Sequence, residues 1–199
     1  MQEADGWVSI SKKGKYLTYE VGIELHIRDI QLLYKIKQIL GVGIIKTYKR
    51  SKNLNETYEY CRYNIRNKKH LKDVILPIFD KYPMLTNKKY DYMRFKHHLI
   101  NGTIYSENLE DYKRPLETEI STEAINNILN IDYLPYWLIG FIEGEGSFSS
   151  YLNKDQRECS FEVSQTNSKL IIEAFPPPPV IRQEGGEGNA RSNKRIFKI

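Results

Sequence analysis

The sequence predicts an α+β protein made of two related units. Segments 7–13, 15–25 and 56–66 alternate polar and apolar residues, as half-buried antiparallel strands do. Residues 30–40 place Ile and Leu at helical spacing and are followed by Gly41, a common helix end. A similar order of motifs returns in the second half of the chain, at a nearly constant offset in the numbering. This repetition indicates an internal duplication.

Composition and charge favour a globular protein with a polyanionic partner. The 199 residues are 40% hydrophobic, and no signal peptide or membrane-spanning run is apparent. Residues 1–101 carry 20 Lys and Arg against 10 Asp and Glu, residues 102–136 carry 2 against 7, and residues 137–199 carry 8 against 8. Cys61 and Cys159 lack zinc-site spacing and predict no disulfide framework. A basic body favours nucleic acid, because phosphate contacts dominate its affinity.

In chain order, the first hundred residues predict two hairpins and three helices. The elements are strands at 7–13 and 15–25, a helix at 30–40, strands at 43–50 and 56–66, a helix over 71–79 and a helix that stops at 101–102. Asp29 is a helix start signal, and the polar segment Ser51–Asn55 predicts a turn. Pro77 has no N–H to donate and strains the helix that contains it.

The second predicted hairpin carries a surface suited to nucleic acid. Strand alternation separates Cys61, Tyr63 and Ile65 from the even-numbered residues on the opposite face. The even face presents aromatic, basic and amide side chains without acids: Lys46, Tyr48, Arg50, Tyr58, Tyr60, Arg62, Asn64 and Arg66. A solvated sheet face usually mixes acids with bases. The composition therefore favours a sheet that lies in the DNA major groove and contacts base edges and phosphates.

Residues 134–148, Leu-Pro-Tyr-Trp-Leu-Ile-Gly-Phe-Ile-Glu-Gly-Glu-Gly-Ser-Phe, are the most distinctive stretch of the chain. The apolar run 137–142 predicts a buried helix, with a proline in its first turn. Gly140 and Gly144 lie one turn apart, a spacing that lets a second helix approach closely. Glu145 then adds a carboxylate to the negative end of the helix dipole. That position is understandable if a divalent cation binds there.

This stretch resembles the second signature motif of the LAGLIDADG homing endonucleases and the related intron maturases. In that family two such helices pack side by side, and the last acidic residue of each binds a metal ion over the DNA. The resemblance implies that Glu145 is a ligand of Mg²⁺. Residues Glu3–Gly6, Glu-Ala-Asp-Gly, resemble the end of a first motif, in which Asp5 corresponds to Glu145. Asp5 is therefore the second expected ligand, and the helix that should precede it is expected to be missing.

The resemblance implies roles for further residues. The segment 85–92, Leu-Thr-Asn-Lys-Lys-Tyr-Asp-Tyr, resembles the family segment that brings a lysine near the scissile phosphate. Lys88 is the match and Lys89 the fallback; such a lysine stabilises phosphorane charge or polarises the water network.

The internal duplication predicts two further polar residues for the catalytic site. The alignment of Leu32-Leu33-Ile36 with Ile171-Ile172-Phe175 places His26 opposite Gln165, at an offset one smaller than that between Asp5 and Glu145. In the family a polar residue at this place often helps order the water near the metals. His26 and Gln165 are therefore further candidates for the catalytic site.

The second half predicts a partial repeat of the first. Its expected elements are a short helix capped by Ser121, the helix of 134–145, strands at 148–152 and 158–165 around a polar turn, a helix from Ser168, and a hairpin of 180–183 and 194–199 around a Gly-rich turn at 184–189. We therefore expect a first unit at 1–101, an acidic connector at 102–133 and an incomplete second unit at 134–199. The resemblance implies two pseudo-symmetric αββαββα units with antiparallel, saddle-shaped sheets, the second lacking its last third.

The function that the resemblance implies is Mg²⁺-dependent, site-specific cleavage of double-stranded DNA by an intron-encoded monomer that acts as a pseudo-dimer. The abundance of Tyr, Lys, Asn and Ile is typical of an AT-rich organellar genome, which indicates a mitochondrial protein. Two alternatives remain open. The first is an intron maturase that binds group I intron RNA during splicing, since a basic sheet face is equally suited to RNA. The second alternative is an inactive fragment, in which the loss of a partner helix exposes Leu138, Phe141 and Ile142.

Overall fold

Two antiparallel sheets organise the chain in a computed structural model that describes residues 3–53, 56–116, 121–153, 156–166, 168–174 and 192–198. Each sheet belongs to a separate compact unit. The first unit comprises Met1–Met84 and Lys88–Arg114, and the second comprises Leu85–Asn87 and Pro115–Ile199. The main division thus falls inside the segment predicted as the connector.

Helices and strands follow one another largely in the predicted order. They are β1 (Gly6–Lys13), β2 (Tyr16–His26), α1 (Ile30–Leu40), β3 (Ile44–Asn53), β4 (Glu56–Ile65), α2 (Lys68–His70), α3 (Leu76–Lys81), α4 (Lys88–Ile100), α5 (Thr122–Leu129), α6 (Leu134–Glu145), β5 (Gly146–Asn153), β6 (Gln156–Thr166), α7 (Lys169–Ala174) and β7 (Ser192–Lys198). Over the described residues, none of these helices has the length and apolar composition to cross a membrane. Both cysteines are free thiols, Cys61 buried and Cys159 exposed.

The first unit is a four-stranded sheet in the order β1-β2-β4-β3. Its inward face and the helices bury one continuous core, which includes Tyr19, Val21, Cys61, Tyr63 and Ile65 from the strands and Leu33, Leu71, Phe95 and Leu99 from the helices. The Tyr19 and Phe95 rings meet edge to face at 5.6 Å. The strand alternation predicted for 56–66 is confirmed, because Cys61, Tyr63 and Ile65 are all buried.

Two local predictions in this unit need correction. The segment Ser51–Asn55 was expected to be a turn, but β3 continues to Asn53 through a register irregularity. The helix around Pro77 is divided into α2 and α3 by a π-turn at Leu71–Ile75. A proline cannot donate the usual helical hydrogen bond and its ring clashes with the preceding turn. A widened turn just before Pro77 accommodates both effects.

The second unit packs its helices on a three-stranded sheet in the order β5-β6-β7. Its core includes Leu85, Leu134, Phe141, Val163, Ile171 and Ile172. The prediction that α6 is buried is correct only for part of the helix. Phe141 is 1% exposed, whereas Ile139 is 63% exposed and Tyr136 is 79% exposed. The predicted strand at 180–183 and the Gly-rich turn at 184–189 lie outside the described residues.

The strand pairing reveals the internal duplication. In the first hairpin Gly6 pairs with Ile23, and in the second Gly146 pairs with Val163. The two pairs are therefore offset in the numbering by the same amount as Asp5 and Glu145. Every later pair keeps this offset, down to Asn153 opposite Gln156. The equivalence of His26 and Gln165 is therefore wrong, because their offset is one smaller and the two side chains occupy opposite strand faces.

Candidate nucleic-acid interface and active site

The outward face of the first sheet forms an open groove of about 910 Å³. Its walls come from the four strands and their ends: Asp5, Trp7, Ser9, Ser11, Lys12, Lys13, Thr18, Glu20, Glu24, Arg50, Arg62 and Arg66. A smaller recess of about 300 Å³ includes Lys46, Asn64 and Arg66 in its lining. Of the predicted interface residues, Arg50, Arg62 and Arg66 line the groove, and Lys46, Asn64 and Arg66 line the recess. Tyr48, Tyr58 and Tyr60 alternate onto the same face of β3 and β4.

Aromatic rings and guanidinium groups interleave across the groove. Tyr48 pairs with Tyr60 across β3 and β4, and their rings stack at 5.8 Å between centroids. Arg50, which pairs with Tyr58, holds its guanidinium 5.6 Å from the Tyr48 ring and 5.2 Å from the Tyr60 ring. Such cation–π contacts stabilise the side chains in place and keep their charge at the surface.

The prediction that this face lacks acids is wrong. Strand β2 lies between β1 and β4 and adds Glu20 and Glu24 to the same face. Arg62 donates from Nε and Nη2 to Glu24 Oε2, at 3.0 and 2.6 Å. Trp7 Nε1 donates to Glu20 Oε1 at 3.1 Å, and Arg66 pairs with the other oxygen of Glu20. The alternation of polar residues along β2 was a visible signal, but the pairing of β2 with β4 could not be obtained from the sequence.

Glu24 remains a carboxylate at neutral pH. Burial by itself would raise the pKa of Glu24, but the adjacent Tyr48 hydroxyl and the Arg62 and Arg50 guanidinium groups outweigh it and hold that pKa below its ordinary value. The Tyr48 oxygen is itself buried and makes no hydrogen bond of standard geometry within the described residues. Burial and the nearby Glu24 charge raise the pKa of Tyr48.

Gly22 makes room for Trp7, its partner in the β1–β2 pairing. A Cβ atom at position 22 would lie 2.4 Å from Cζ2 of the indole, far inside van der Waals contact. The indole therefore lies across the backbone of β2, where its ring is 5.1 Å from the Arg62 guanidinium. Neither Trp7 nor Gly22 was identified from the sequence, because their relationship depends on the strand register.

Asp5 lies at the end of the groove, immediately before β1. Lys88, in the first turn of α4, donates from Nζ to Ala4 O at 2.8 Å and to Gly6 O at 2.7 Å. Glu24 N–H donates to Asp5 O at 3.4 Å. The Asp5 side chain is exposed, yet enough protein surrounds the carboxylate that burial raises the pKa of Asp5, against the lowering effect of the Lys88 charge. The predicted proximity of Asp5 and Lys88 is therefore present in the first unit.

His26 lies at the same end of the sheet as Asp5. It is the last residue of β2, and the antiparallel pairing brings the end of β2 beside the start of β1. Its Nδ1 accepts a hydrogen bond from the Arg28 N–H at 3.3 Å, and its ring packs edge to face against Tyr60. The free edge of the imidazole is thus the Nε2 side.

Glu145 holds the position in the second unit that Asp5 holds in the first, one residue before the first strand of its hairpin. Glu145 is the last residue of α6, and Gly146 begins β5 directly. A Cβ atom at Gly146 would lie 2.5 Å from Ile142 O, so the abrupt change from helix to strand requires glycine. Gln165 follows closely after Val163, the partner of Gly146, and therefore lies at the same end as Glu145.

The donor atoms fit a hard divalent cation that is only partly coordinated by protein. Within the described parts of the chain, no three His, Cys, Asp or Glu side chains gather into a group that could hold a metal ion. Asp5 and Glu145 each supply one carboxylate at the start of a strand. Mg²⁺ is commonly bound by one or two carboxylates, with phosphate oxygens and water completing its octahedral shell. A single carboxylate at the end of each sheet is compatible with that mode.

Comparison with known proteins identifies the family. Residues 2–99 match the model of the LAGLIDADG endonucleases. The chain belongs to the LAGLIDADG endonuclease family. It is 35% identical over 169 residues to the uncharacterized mitochondrial protein RF1 of Saccharomyces cerevisiae, a match that covers 82% of this chain and 33% of that protein. It is 34% identical over 185 residues to the probable intron-encoded endonuclease Cox1-I1b of Schizosaccharomyces pombe, a match that covers 85% of this chain and 45% of that protein. The chain thus spans between a third and a half of these relatives.

Solved LAGLIDADG structures share the fold. The structure of I-SmaMI bound to an uncleaved DNA target in the presence of calcium ions matches with a TM-score of 0.69 and 23% identity, covering 100% of this chain and 76% of that one. The homing endonuclease I-GzeII in complex with its DNA target matches with a TM-score of 0.62 and 26% identity, covering 87% and 67%. The predicted α+β fold with antiparallel sheets is confirmed.

Proposed function

We propose that this chain acts as an intron-encoded, site-specific endonuclease of double-stranded DNA. The observation that carries the proposal is the groove of the first unit, where arginines and aromatic rings line a sheet face that ends at Asp5. Such a face can contact phosphates and base edges in the major groove. The likeness to I-SmaMI and I-GzeII, both solved with DNA, supports the same ligand.

Asp5 in the first unit and Glu145 in the second are each proposed as a metal ligand at the end of its own sheet. Mg²⁺ bound there would supply a Lewis acid and lower the pKa of a coordinated water. Lys88 fixes the backbone on both sides of Asp5, which holds the carboxylate at the end of the groove. His26 and Gln165, which lie at the carboxylate ends of their own sheets but are not equivalent positions of the repeat, are the proposed polar residues that order water.

The division of the chain into two units supports action as a monomer with pseudo-dimeric symmetry. The duplicated hairpins, with their constant offset, give each unit a carboxylate at the same point of the fold. The mitochondrial and intron-encoded relatives support a mitochondrial location and an intron origin.

The test is cleavage of DNA by the full chain and by Asp5→Asn and Glu145→Gln variants. A library of random duplexes is incubated with Mg²⁺, and cleaved ends are sequenced. We expect cleavage at a defined sequence, and a loss of at least about a hundredfold in each variant, with binding retained. The control is Glu143→Gln, because Glu143 is an exposed acid on the same helix, α6.

Two outcomes would count against the proposal. Asp5→Asn and Glu145→Gln variants that cleave like the parent chain would contradict the metal-ligand assignment. A chain that never cleaves DNA but binds group I intron RNA in preference to duplex DNA would instead support the maturase function.

A further inference from the structure

Arg62 is the most constrained arginine in the groove. Its side chain is 37% exposed, compared with 58% for Arg50 and 59% for Arg66. Its guanidinium lies 5.1 Å from the Trp7 ring and 5.4 Å from the Tyr48 ring. An arginine held by two rings loses little further conformational entropy when it binds a ligand.

Glu24 fixes the orientation of this guanidinium. Nε and Nη2 of Arg62 both donate to Glu24 Oε2, at 3.0 and 2.6 Å, so the side edge of the fork faces the acid. Of the five N–H donors of an arginine, two are thereby used and three remain. The remaining donors include the pair at the end of the fork, which suits two acceptors in one plane.

We infer that Arg62 recognises a guanine in the major groove through O6 and N7, and that Glu24 is the positioning residue that presents it. This inference rests on the proposed function, since it assigns base specificity to the same groove. Guanine is the base that offers two adjacent acceptors on its major-groove edge, and bidentate arginine is its commonest partner.

A phosphate is a poor partner for this arginine. The carboxylate of Glu24 lies 2.6 Å from Nη2 of Arg62 and offsets its positive charge, so this arginine attracts a phosphate less strongly than an unpaired arginine would. Cytosine is a poor partner for the acid itself, because Oε2 of Glu24 accepts from Arg62 and Oε1 from Arg50. The pair therefore disfavours non-specific phosphate contact and leaves a donor edge for a base.

The second acid–arginine pair of the groove is a matched control. Arg66 pairs with Glu20 through Nε, but its side chain is 59% exposed. The described residues place no aromatic ring over the Arg66 guanidinium, unlike that of Arg62. Glu20 also accepts from Trp7 at 3.1 Å. We expect Arg66 to adapt to a phosphate, which contributes affinity without base preference.

The experiment is selection of bound duplexes from a random library in Ca²⁺, followed by sequencing. It uses the full parent chain and Glu24→Gln, Glu24→Asp, Arg62→Lys and Glu20→Gln variants. We expect the parent consensus to contain one guanine whose preference falls about tenfold or more in Glu24→Gln and Arg62→Lys. Every other position should keep its preference. Glu24→Asp should retain part of the guanine preference, and Glu20→Gln should leave it unchanged. Thermal unfolding confirms that each variant is folded.

Three outcomes separate the inference from the proposed function. If Glu24→Gln weakens binding to all sequences equally, or if the affected position is not guanine, the inference is wrong while the endonuclease function stands. If Glu20→Gln alters the same position as Glu24→Gln, the effect is a general loss of groove charge and the inference is also wrong. If the parent chain yields no consensus and cleaves no DNA with Mg²⁺, the proposed function itself fails.

Discussion

Lys88 and Asp5 are linked through the backbone: the ammonium group of Lys88 donates to the carbonyl oxygens on both sides of Asp5, Ala4 O at 2.8 Å and Gly6 O at 2.7 Å. Two charge-assisted hydrogen bonds therefore tie the start of β1 to the first turn of α4. Lys88 thus fixes the direction in which the Asp5 carboxylate leaves the chain. This role is compatible with the effect on the reacting phosphate that the sequence suggested, and it adds a structural one.

Replacement of Lys88 by methionine should affect both stability and cleavage. The apolar stem is kept, but the two carbonyl groups lose their donor, which should lower the free energy of unfolding by about 1–3 kcal/mol. Because the Asp5 backbone is no longer held, Mg²⁺-dependent cleavage should fall more than DNA binding does. Urea unfolding and a nicking assay measure the two effects. Lys89→Met is the control, since Lys89 lies beside it and approaches the Tyr90 ring. Equal effects of the two substitutions would contradict the assignment.

Magnesium should stabilise the free protein through Asp5. Burial raises the pKa of Asp5, so the ionised carboxylate is less stable than in water, and a bound cation would offset this cost. At a concentration about ten times the dissociation constant, Mg²⁺ should add about 1.4 kcal/mol to the free energy of unfolding. Thermal unfolding with and without Mg²⁺ checks this. The shift should shrink in Asp5→Asn and persist in Asp29→Asn, an exposed acid that pairs with Arg28. An undiminished shift in Asp5→Asn would place the bound cation elsewhere.

Gly22→Ala should displace Trp7 from the groove. The new Cβ would lie 2.4 Å from the indole, so the ring must rotate away from Glu20 and Arg62. We expect a loss of about 1–3 kcal/mol of stability from this overpacking. A double-mutant cycle with Trp7→Ala isolates the clash, because the alanine at 22 should cost much less once the indole is gone. Additive effects of the two substitutions would mean that the ring is not the obstacle.

The elements of the fold could be predicted because each has a local signal. Leu33 lies in the helical pattern of α1, and Ser121 accepts from the Ala124 N–H as a helix cap, as its position before α5 indicated. The groove was harder, since its character depends on which strands are neighbours. Glu24 and Arg62 are far apart in sequence, and only the β2–β4 register brings the two together. A one-residue shift between repeats also misled the comparison of His26 with Gln165.

Lys46→Gln should reduce the salt dependence of DNA binding without altering base preference. Lys46 is exposed on β3 and lines the smaller recess rather than the arginine groove. If it contacts one phosphate, its removal should lower the slope of log affinity against log salt by about 0.9. Titrations over roughly 50 to 200 mM salt measure this slope. The companion variant is Arg62→Lys, which retains the charge and should leave the slope unchanged. A changed base preference in Lys46→Gln would contradict the phosphate role.

The Asp80 carboxylate should stabilise the folded first unit at neutral pH and lose this effect in acid. Lys96 donates to both Asp80 oxygens at 2.7 Å, and the buried Tyr92 donates to Oδ1 at 2.7 Å. The hydrogen bonds from Lys96 and then Tyr92 hold the pKa of Asp80 below its usual value of 3.8. Since the folded-state pKa is depressed, the stabilisation is present above the unfolded value and is lost as pH falls through the folded one.

Asp80→Asn should therefore cost about 1 kcal/mol or less at pH 7, because the pair is partly exposed and solvent screens it. The same substitution should cost much less in acid, below the folded-state pKa, as urea unfolding at the two pH values would show. Asp73→Asn removes the exposed ion pair with Lys69 and should cost much less than Asp80→Asn, because solvent screens that pair. A cost for Asp80→Asn that is the same at both pH values would mean that the hydrogen-bond geometry, and not the charge, stabilises this corner.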